Sequence, residues 1–579
     1  MKHLLIAIIA LSLSVIVSAQ AQESAVPEEG YQAHHNLFVK NRFPSALECA
    51  QCHQTQFQEW SVSQHAYAQL SPVYMAMQNK QNKMLSGSLS DFCIRCHTQP
   101  GMALNEPPMM ANEKRHSISR EGVTCVSCHR VSLPYNKVSS RFGMEQGDVT
   151  EPFYGPTGNA ELARVLESSE EFKVTTDPKT PGRKIHREIK FFQPIRSSTF
   201  CGSCHDVTSP DNFRLEEAFS DYRMSRAPRE AVSCQDCHMG KIPGIPSGYN
   251  EGPAAVIDGV PTKNRRLTNH TFVGPDYSII HPGIFPINPK AQELATLEDW
   301  LLFDHKAGWG TDEFEAKVTS DQEFPEVWSL SEDRRAAREI LNEQFKLLAI
   351  AKEQRYTLLR NGYQLGNIKV LKSDAKKLNF SIEFKSGTTG HNIPTGFIAE
   401  RLVWLSVEVR DSTGAVIFQS GDTDPNGDVR DHESFYVQNG QLPLDDQLFS
   451  LQGRFIAQNR KGGDREQILA IPYSHSALPR VLPPSTPNIW TGETRVTRIH
   501  RRSIVPLGKH IAHYRVPSKS LTGHGPYTIK VRIYAQMVPV NLIHEVSDVG
   551  FMYNMSAKEL ATNLVDERLL LWEKEVEVP

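Results

Sequence analysis

The chain has 579 residues with 63 Lys+Arg and 66 Asp+Glu, a net charge of −3. That balance excludes a polybasic nucleic-acid or membrane-surface binder. With 39% hydrophobic residues, 36 glycines and 36 prolines, it reads as a loop-rich globular protein of several domains.

Residues 1–21 read as a secretory signal peptide. Lys2 and His3 form a basic start, and Leu4 to Val17 is an apolar run broken by Ser12 and Ser14. Val17-Ser18-Ala19 and Ala19-Gln20-Ala21 both fit a small-x-small cleavage site. The alternative is a retained anchor, for which the run is short. No later stretch is apolar enough to span a bilayer, so the mature chain is expected to be soluble and periplasmic, with an extracellular location as the variant. Residues 22–45 read as an extended polar arm that holds His34 and His35.

Cys49 to His238 holds five copies of Cys-x-x-Cys-His: Cys49/Cys52/His53, Cys93/Cys96/His97, Cys125/Cys128/His129, Cys201/Cys204/His205 and Cys234/Cys237/His238. They use all 10 cysteines of the chain. Zinc would take two such pairs per ion, which leaves one over, and a disulfide does not need the histidine that follows every pair. Covalent haem c explains both: two thiols join the vinyl groups and the adjacent imidazole ligates the iron. Five covalently bound haems c are therefore expected. A repeat runs through the segment. Phe92-Cys93 is followed by Arg120-Glu121-Gly122-Val123-Thr124-Cys125, and Phe200-Cys201 by Arg229-Glu230-Ala231-Val232-Ser233-Cys234. This predicts a lone first haem and two duplicated pairs.

The sixth ligand of each iron sets its role, since histidine closes the centre and an open position admits substrate. Spacing nominates His65, His116, His186 and His270, with His34 or His35 reaching back from the arm. His391, in Thr388-Thr389-Gly390-His391-Asn392-Ile393-Pro394-Thr395-Gly396, reads either as a further distal ligand or as a turn residue. Gln56 to Ala68 is expected to form a helix. Residues 241–325 read as a long wrapping segment.

Ser331 to Arg360 is the strongest helix signal. Ala337, Leu341, Phe345, Leu348 and Ala351 form a stripe, with Ser331 as N-cap and Asn361-Gly362 as stop. After Gly366 the period becomes two: Leu378, Phe380, Ile382 and Phe384, then Val403, Leu405, Val407 and Val409, then Tyr527 to Tyr534. Ser556 to Glu573 is expected to close the chain as a helix. The fold class is thus α+β. A mainly helical multihaem region (22–325) is followed by a long helix (326–366) and an antiparallel β-sandwich with a C-terminal helix (367–579). Within it Asp422, Asp424, Asn426 and Glu433 fit the spacing of a calcium loop, so Ca²⁺ is carried as an expectation beside an Asx-rich turn.

Glu48-Cys49-x-x-Cys52-His53, Trp60-x-x-Ser63-x-His65-Ala66 and Gly122-Val123-x-Cys125-x-x-Cys128-His129 together resemble the multihaem cytochromes of the cytochrome c-554 type. That group is related to octahaem hydroxylamine oxidoreductases and pentahaem nitrite reductases. Gly390-His391-Asn392-Ile393-Pro394-Thr395-Gly396 and Arg401-Leu402-Val403-Trp404-Leu405 resemble a C-terminal region that accompanies some multihaem cytochromes. The resemblance implies a periplasmic carrier moving electrons between redox protein partners through packed haems, with His65 as a distal ligand. Some relatives act on nitrogen or sulfur species at one open haem. Here no motif has lysine in place of histidine, and the count is five rather than four or eight. The expected function is an exported pentahaem electron carrier in respiration. The alternative is an oxidoreductase with one open haem acting on nitrite, hydroxylamine or a sulfur oxyanion. Whether the chain is an enzyme, and whether it forms an oligomer, stays open.

Overall fold

The computed structural model describes residues 42–84, 87, 89–131, 143–208, 214–398, 400–460, 466–470, 497–521 and 525–579. The expected signal peptide and residues 22–41 of the arm, His34 and His35 included, lie outside the described residues. Among those described, no helix is long and apolar enough to cross a membrane.

The motif region consists of short helices. Helix α1 (Ala46–Ala50) carries the first motif, and Ser45 and Glu48 close its start as a capping box. Helix α2 (Gln54–Ser61) follows. The expected helix from 56 to 68 ends at Ser61, because tertiary bonds draw the chain aside. Trp60 Nε1 donates to Val123 O at 2.9 Å, and Val123 N donates to His65 O at 2.9 Å. Gly122 makes this approach possible. Its φ is +62°, and a Cβ there would stand 2.5 Å from His65 O. Helix α3 is Pro72–Met84.

Helices α4 (Ile94–His97), α5 (Cys125–His129), α6 (Ser198–Gly202) and α7 (Cys234–His238) hold the other motifs. Between α6 and α7 a small ribbon pairs β1 (Val207–Thr208) with β2 (Arg214–Glu216). The wrapping segment is built of ribbons, Asn250–Pro253 with Asn264–Leu267 and Val256–Ile257 with Val260–Pro261, and of single helical turns.

Helix α8 spans Ser331–Gly362. Its start differs from expectation. Leu330 is the N-cap and Ser331 the first helical residue. The buried Arg334 instead turns back, donating to Trp328 O at 2.7 Å and Ser329 O at 3.0 Å and pairing with Glu315 at 2.5 Å. Ala337 and Leu341 pack with Trp300, Phe303 and Trp328; Phe345 is only partly buried.

Two antiparallel sheets then form the core, beside a third in which Arg454–Arg460 pairs with Glu466–Ala470 and Thr497–His500. One orders β3 (Tyr363–Asp374), β4 (Lys377–Ser386) and β7 (Lys509–Val516). The other orders β6 (Val416–Ser420), β5 (Leu402–Arg410), β8 (Tyr527–Gln536) and β9 (Leu569–Val578). Phe380, Ile382 and Phe384 of one face meet Val407, Val409, Ile529, Val531 and Ile533 of the other, all buried. This is the alternation of a sandwich core. The C-terminus departs from expectation. Helix α10 (Ala557–Asp566) stops early, and β9 pairs along β8. Arg568 marks the break, donating to Gln536 Oε1 at 2.7 Å and Gly427 O at 2.6 Å. With α9 (Val540–Val546), α10 packs on α3 through Leu542, Val546, Leu560, Leu564, Val73 and Ala76.

Candidate cofactor site

All five motifs open on one cavity of about 1380 Å³. All ten cysteines are free and line it, as do all five motif histidines. Each thiol is thus available for a thioether, and none is spent on a disulfide.

Each motif histidine is oriented through Nδ1, which leaves Nε2 for the cavity. His53 donates to Ala254 O at 2.7 Å, His97 to Ala68 O at 2.9 Å, His129 to Tyr154 O at 2.7 Å and His238 to Val273 O at 2.7 Å. Such a bond fixes the tautomer and ring plane of a ligating imidazole. His205 differs: its partner is Glu216 Oε1 at 3.2 Å. Burial presses His205 down, but the Glu216 carboxylate outweighs it and carries the imidazole up to about 9.

Among the described residues, four further histidines line the cavity: His65, His186, His270 and His391. Burial, aided by neighbouring imidazoles, takes His65 and His186 down to about 3 and His270 and His391 down to about 4. All four stay neutral, the form that ligates a metal. His65 and His205 face each other with ring centres 6.3 Å apart and planes tilted by 36°. His238 and His391 do so at 6.1 Å and 14°. Two metal–imidazole bonds of about 2 Å each, plus half of either ring, span about 6 Å. Both gaps therefore fit one iron. His65 Nδ1 is buried without a hydrogen-bond partner, leaving this ring positioned by packing against Phe272 at 4.4 Å. His186 and His270 both lie near His53 and His129.

The β-region delivers His391. Asp221, just after the fourth motif, accepts from Asn392 Nδ2 at 3.0 Å and Thr395 Oγ1 at 2.8 Å, and so pins the turn over the cavity. His391 Nδ1 is bonded to Asn392 O at 2.8 Å. Spacing alone left this residue between ligand and turn; it has the geometry of both.

His116 is not brought to the cavity. Its Nδ1 accepts from Ile118 N at 3.3 Å and caps a helical turn. The calcium-type loop is also differently committed. Asp422 pairs with Arg430 at 2.6 Å. Asp424 accepts from the backbone of Asn426 and Asp428 and from Ser434 Oγ. The Glu433 backbone N–H donates to Asp431 at 2.8 Å. Among the described residues, no three His, Cys, Asp or Glu side chains gather as a metal-holding group. The loop is closed by its own N–H groups, as in an Asx turn.

Spatial pairing of the motifs departs from the sequence repeat. The Cys49 thiol lies against Cys125 and the Cys201 thiol against Cys234. The equivalent pairs are thus the first motif with the third and the fourth with the fifth. Ser45 and Ser197 cap α1 and α6 four residues before the cysteine in each. Buried Glu121 ties α1 to α5, accepting from Ala46 N at 3.0 Å and Thr124 Oγ1 at 2.6 Å. Its counterpart Glu230 instead pairs with exposed Arg226. The second motif joins the fourth through Cys96 and Cys204.

Sequence reasoning missed Glu216, Glu400 and the Arg401–Asp276 pair, all lining the cavity. Arg401 holds Asp276 with two bonds of 2.5 and 2.9 Å. Burial pushes Glu400 up to about 8 against the opposing pull of Arg401. The ribbon that returns Glu216 to His205 carries no apolar period to betray it.

Residues 48–130, which hold the first three motifs, match the family described as cytochrome c554 and c-prime. No curated protein matches the chain. Among solved structures, a penta-heme cytochrome c552 from Thermochromatium tepidum is similar, with 14% identity and a TM-score of 0.48, covering 93% of this chain and 99% of that one.

Proposed function

We propose that this multihaem c-type cytochrome, an electron-transfer protein with covalently bound haem c, carries five haems and works outside the cytoplasm, passing electrons between redox partner proteins in respiration. The observation that carries this reading is the convergence of ten free cysteines and nine neutral or carboxylate-held histidines on one cavity. Each haem, when bound, supplies a one-electron iron couple. The cysteines anchor the ring edges, and the motif histidines supply the proximal nitrogen. His65 is opposite His205, and His391 opposite His238. His186 and His270 serve the sites of His53 and His129. The backbone carbonyls that accept from Nδ1 hold each ring plane in place, so little reorganisation accompanies a change of charge. The contacts between Cys49 and Cys125, Cys96 and Cys204, and Cys201 and Cys234 bring the sites edge to edge.

A second reading is favoured at one site. Among the described residues, no lining histidine is left to face His97, whose ring is stacked by Tyr74 at 3.7 Å. An open sixth position there suits a small ligand such as nitrite, hydroxylamine or a sulfur oxyanion. Carbon monoxide added to the dithionite-reduced protein separates the readings. The closed carrier gives no CO spectrum. One CO per chain, with turnover of one of those substrates, establishes the second reading and removes the first.

A further inference from the structure

Four of the five motif histidines give their Nδ1 proton to a neutral backbone carbonyl, at 2.7 to 2.9 Å. The fifth, His205, gives it to a carboxylate, Glu216 Oε1. We propose that Glu216 lowers the reduction potential of the haem held by Cys201, Cys204 and His205 below that of the other four. The proposal rests on the haem reading of the motifs.

The placement of Glu216 is built into the fold. The chain leaves His205, runs out along β1 and returns along β2, where Glu216 is in register with Val207. The β-region lies against this carboxylate. Gly396 has a φ of +74°, and a Cβ there would lie 3.3 Å from Glu216 Oε1. The guanidinium that acts on it, that of Arg401, is bonded twice to Asp276 and stands beside Glu400. The hydrogen bond of Glu216 is to His205, and its charge reaches Arg401 and His97 only through space. An anionic acceptor makes an imidazole a stronger electron donor than a carbonyl does, and a stronger donor favours ferric over ferrous iron. Reduction at this site adds one electron from an external reductant and neither makes nor breaks a bond to the protein.

The position of the site gives the effect a purpose. Cys204 adjoins Cys96, Cys201 adjoins Cys234, and Cys128 lies near both Cys201 and Cys204. The second, third and fifth motifs all border the fourth. The strongest reductant of the set then stands where the sites meet, and electrons drain from it towards its neighbours.

Spectroelectrochemical titration of Glu216→Gln tests this. Glutamine keeps an acceptor oxygen and removes the charge. The expected result is the potential of this haem raised most, by about tenfold in the ferric/ferrous ratio or 59 mV for a one-electron couple, with a smaller shift at the site of His97, on which Glu216 also acts, and the other three unmoved. Glu216→Asp retains the anion and is expected to shift the same potential by less; if Glu216→Gln fails to mature, a shift of that potential in Glu216→Asp supports the proposal. Five unmoved potentials, or equal shifts in both variants, overturn the role of Glu216 and leave the haem reading standing. Fewer than five covalent haems in the wild-type protein overturns the haem reading itself.

Discussion

Where a histidine ring faces decides whether it fits as an axial ligand, and sequence distance reports that only in part. His65 and His116 both lie between motifs at ordinary spacings, yet His65 faces His205 across 6.3 Å while His116 caps a turn away from the cavity. His391 is far from His238 in the chain, yet theirs is the more nearly parallel of the two facing pairs, at 14° against 36°. The Gly-His-Asn-Ile-Pro-Thr-Gly turn marked it as special, but the reason lies in Asp221, which only the fold brings to it. His65→Ala and His391→Ala are each expected to convert one low-spin haem into a CO-binding one, read in the difference spectrum of the reduced protein. His116→Ala is expected to add no CO-binding haem. A CO signal from His116→Ala, or none from His391→Ala, would reverse these assignments.

Elements were legible where their period was clean and misread where a tertiary bond cut them. The alternation at Leu378–Phe384 and Val403–Val409 marked the sandwich, because both inner faces are dry. The last helix was read too long. Its capping box at Ser556 and Glu559 was visible, but Arg568 ends it, and Glu575-Val576-Glu577-Val578 already alternates as a strand does. The third and fifth motifs share a backbone feature: Gly122 and Ala231 both take positive φ, at +62° and +57°, three residues before a cysteine. Which motifs pair depends on α1, whose Ser45 cap resembles that of α6 but which lacks the phenylalanine shared by the second and fourth motifs.

Two element-scale outcomes follow from burial. Glu315 and Arg334 are an ion pair with side chains 4% and 2% exposed. Glu315→Ala leaves the guanidinium buried without its anion and is expected to cost about 3 kcal/mol in denaturant unfolding. A loss below 1 kcal/mol would mean that the Trp328 and Ser329 carbonyls suffice. Asp428, in the loop after β6, is pushed up to about 8 by burial and then by Asp424. Unfolded, it ionises near its ordinary 3.8. Between those values the folded chain holds a proton that the unfolded chain has released, so stability falls as pH rises from about 4 to about 8. Asp428→Asn, which keeps an oxygen for the Val540 N–H, is expected to raise the thermal midpoint at pH 7.5 and to flatten its decline with pH. An unchanged slope would assign the decline elsewhere.

At the scale of the molecule, the cavity is walled by segments far apart in sequence. The motif helices form its floor, residues 254–277 wrap it, and the β-region adds His391, Glu400 and Arg401. The C-terminus is tied in as well. Tyr553 Oη accepts from buried Asn112 at 2.7 Å and donates to Leu70 O at 2.9 Å. Cofactor chemistry was readable because five motifs repeat one local pattern. The cavity was not, because carbonyls, Glu216 and the facing rings converge only through tertiary contacts with no periodic trace in the chain.

Intact-mass spectrometry of the protein purified from a host that matures c-type cytochromes tests the central claim most directly. The predicted mass is that of the purified chain, its N-terminus identified by sequencing, plus five covalently attached haems. Four or fewer haems, or ten cysteines that still react with a thiol reagent after unfolding, would contradict it.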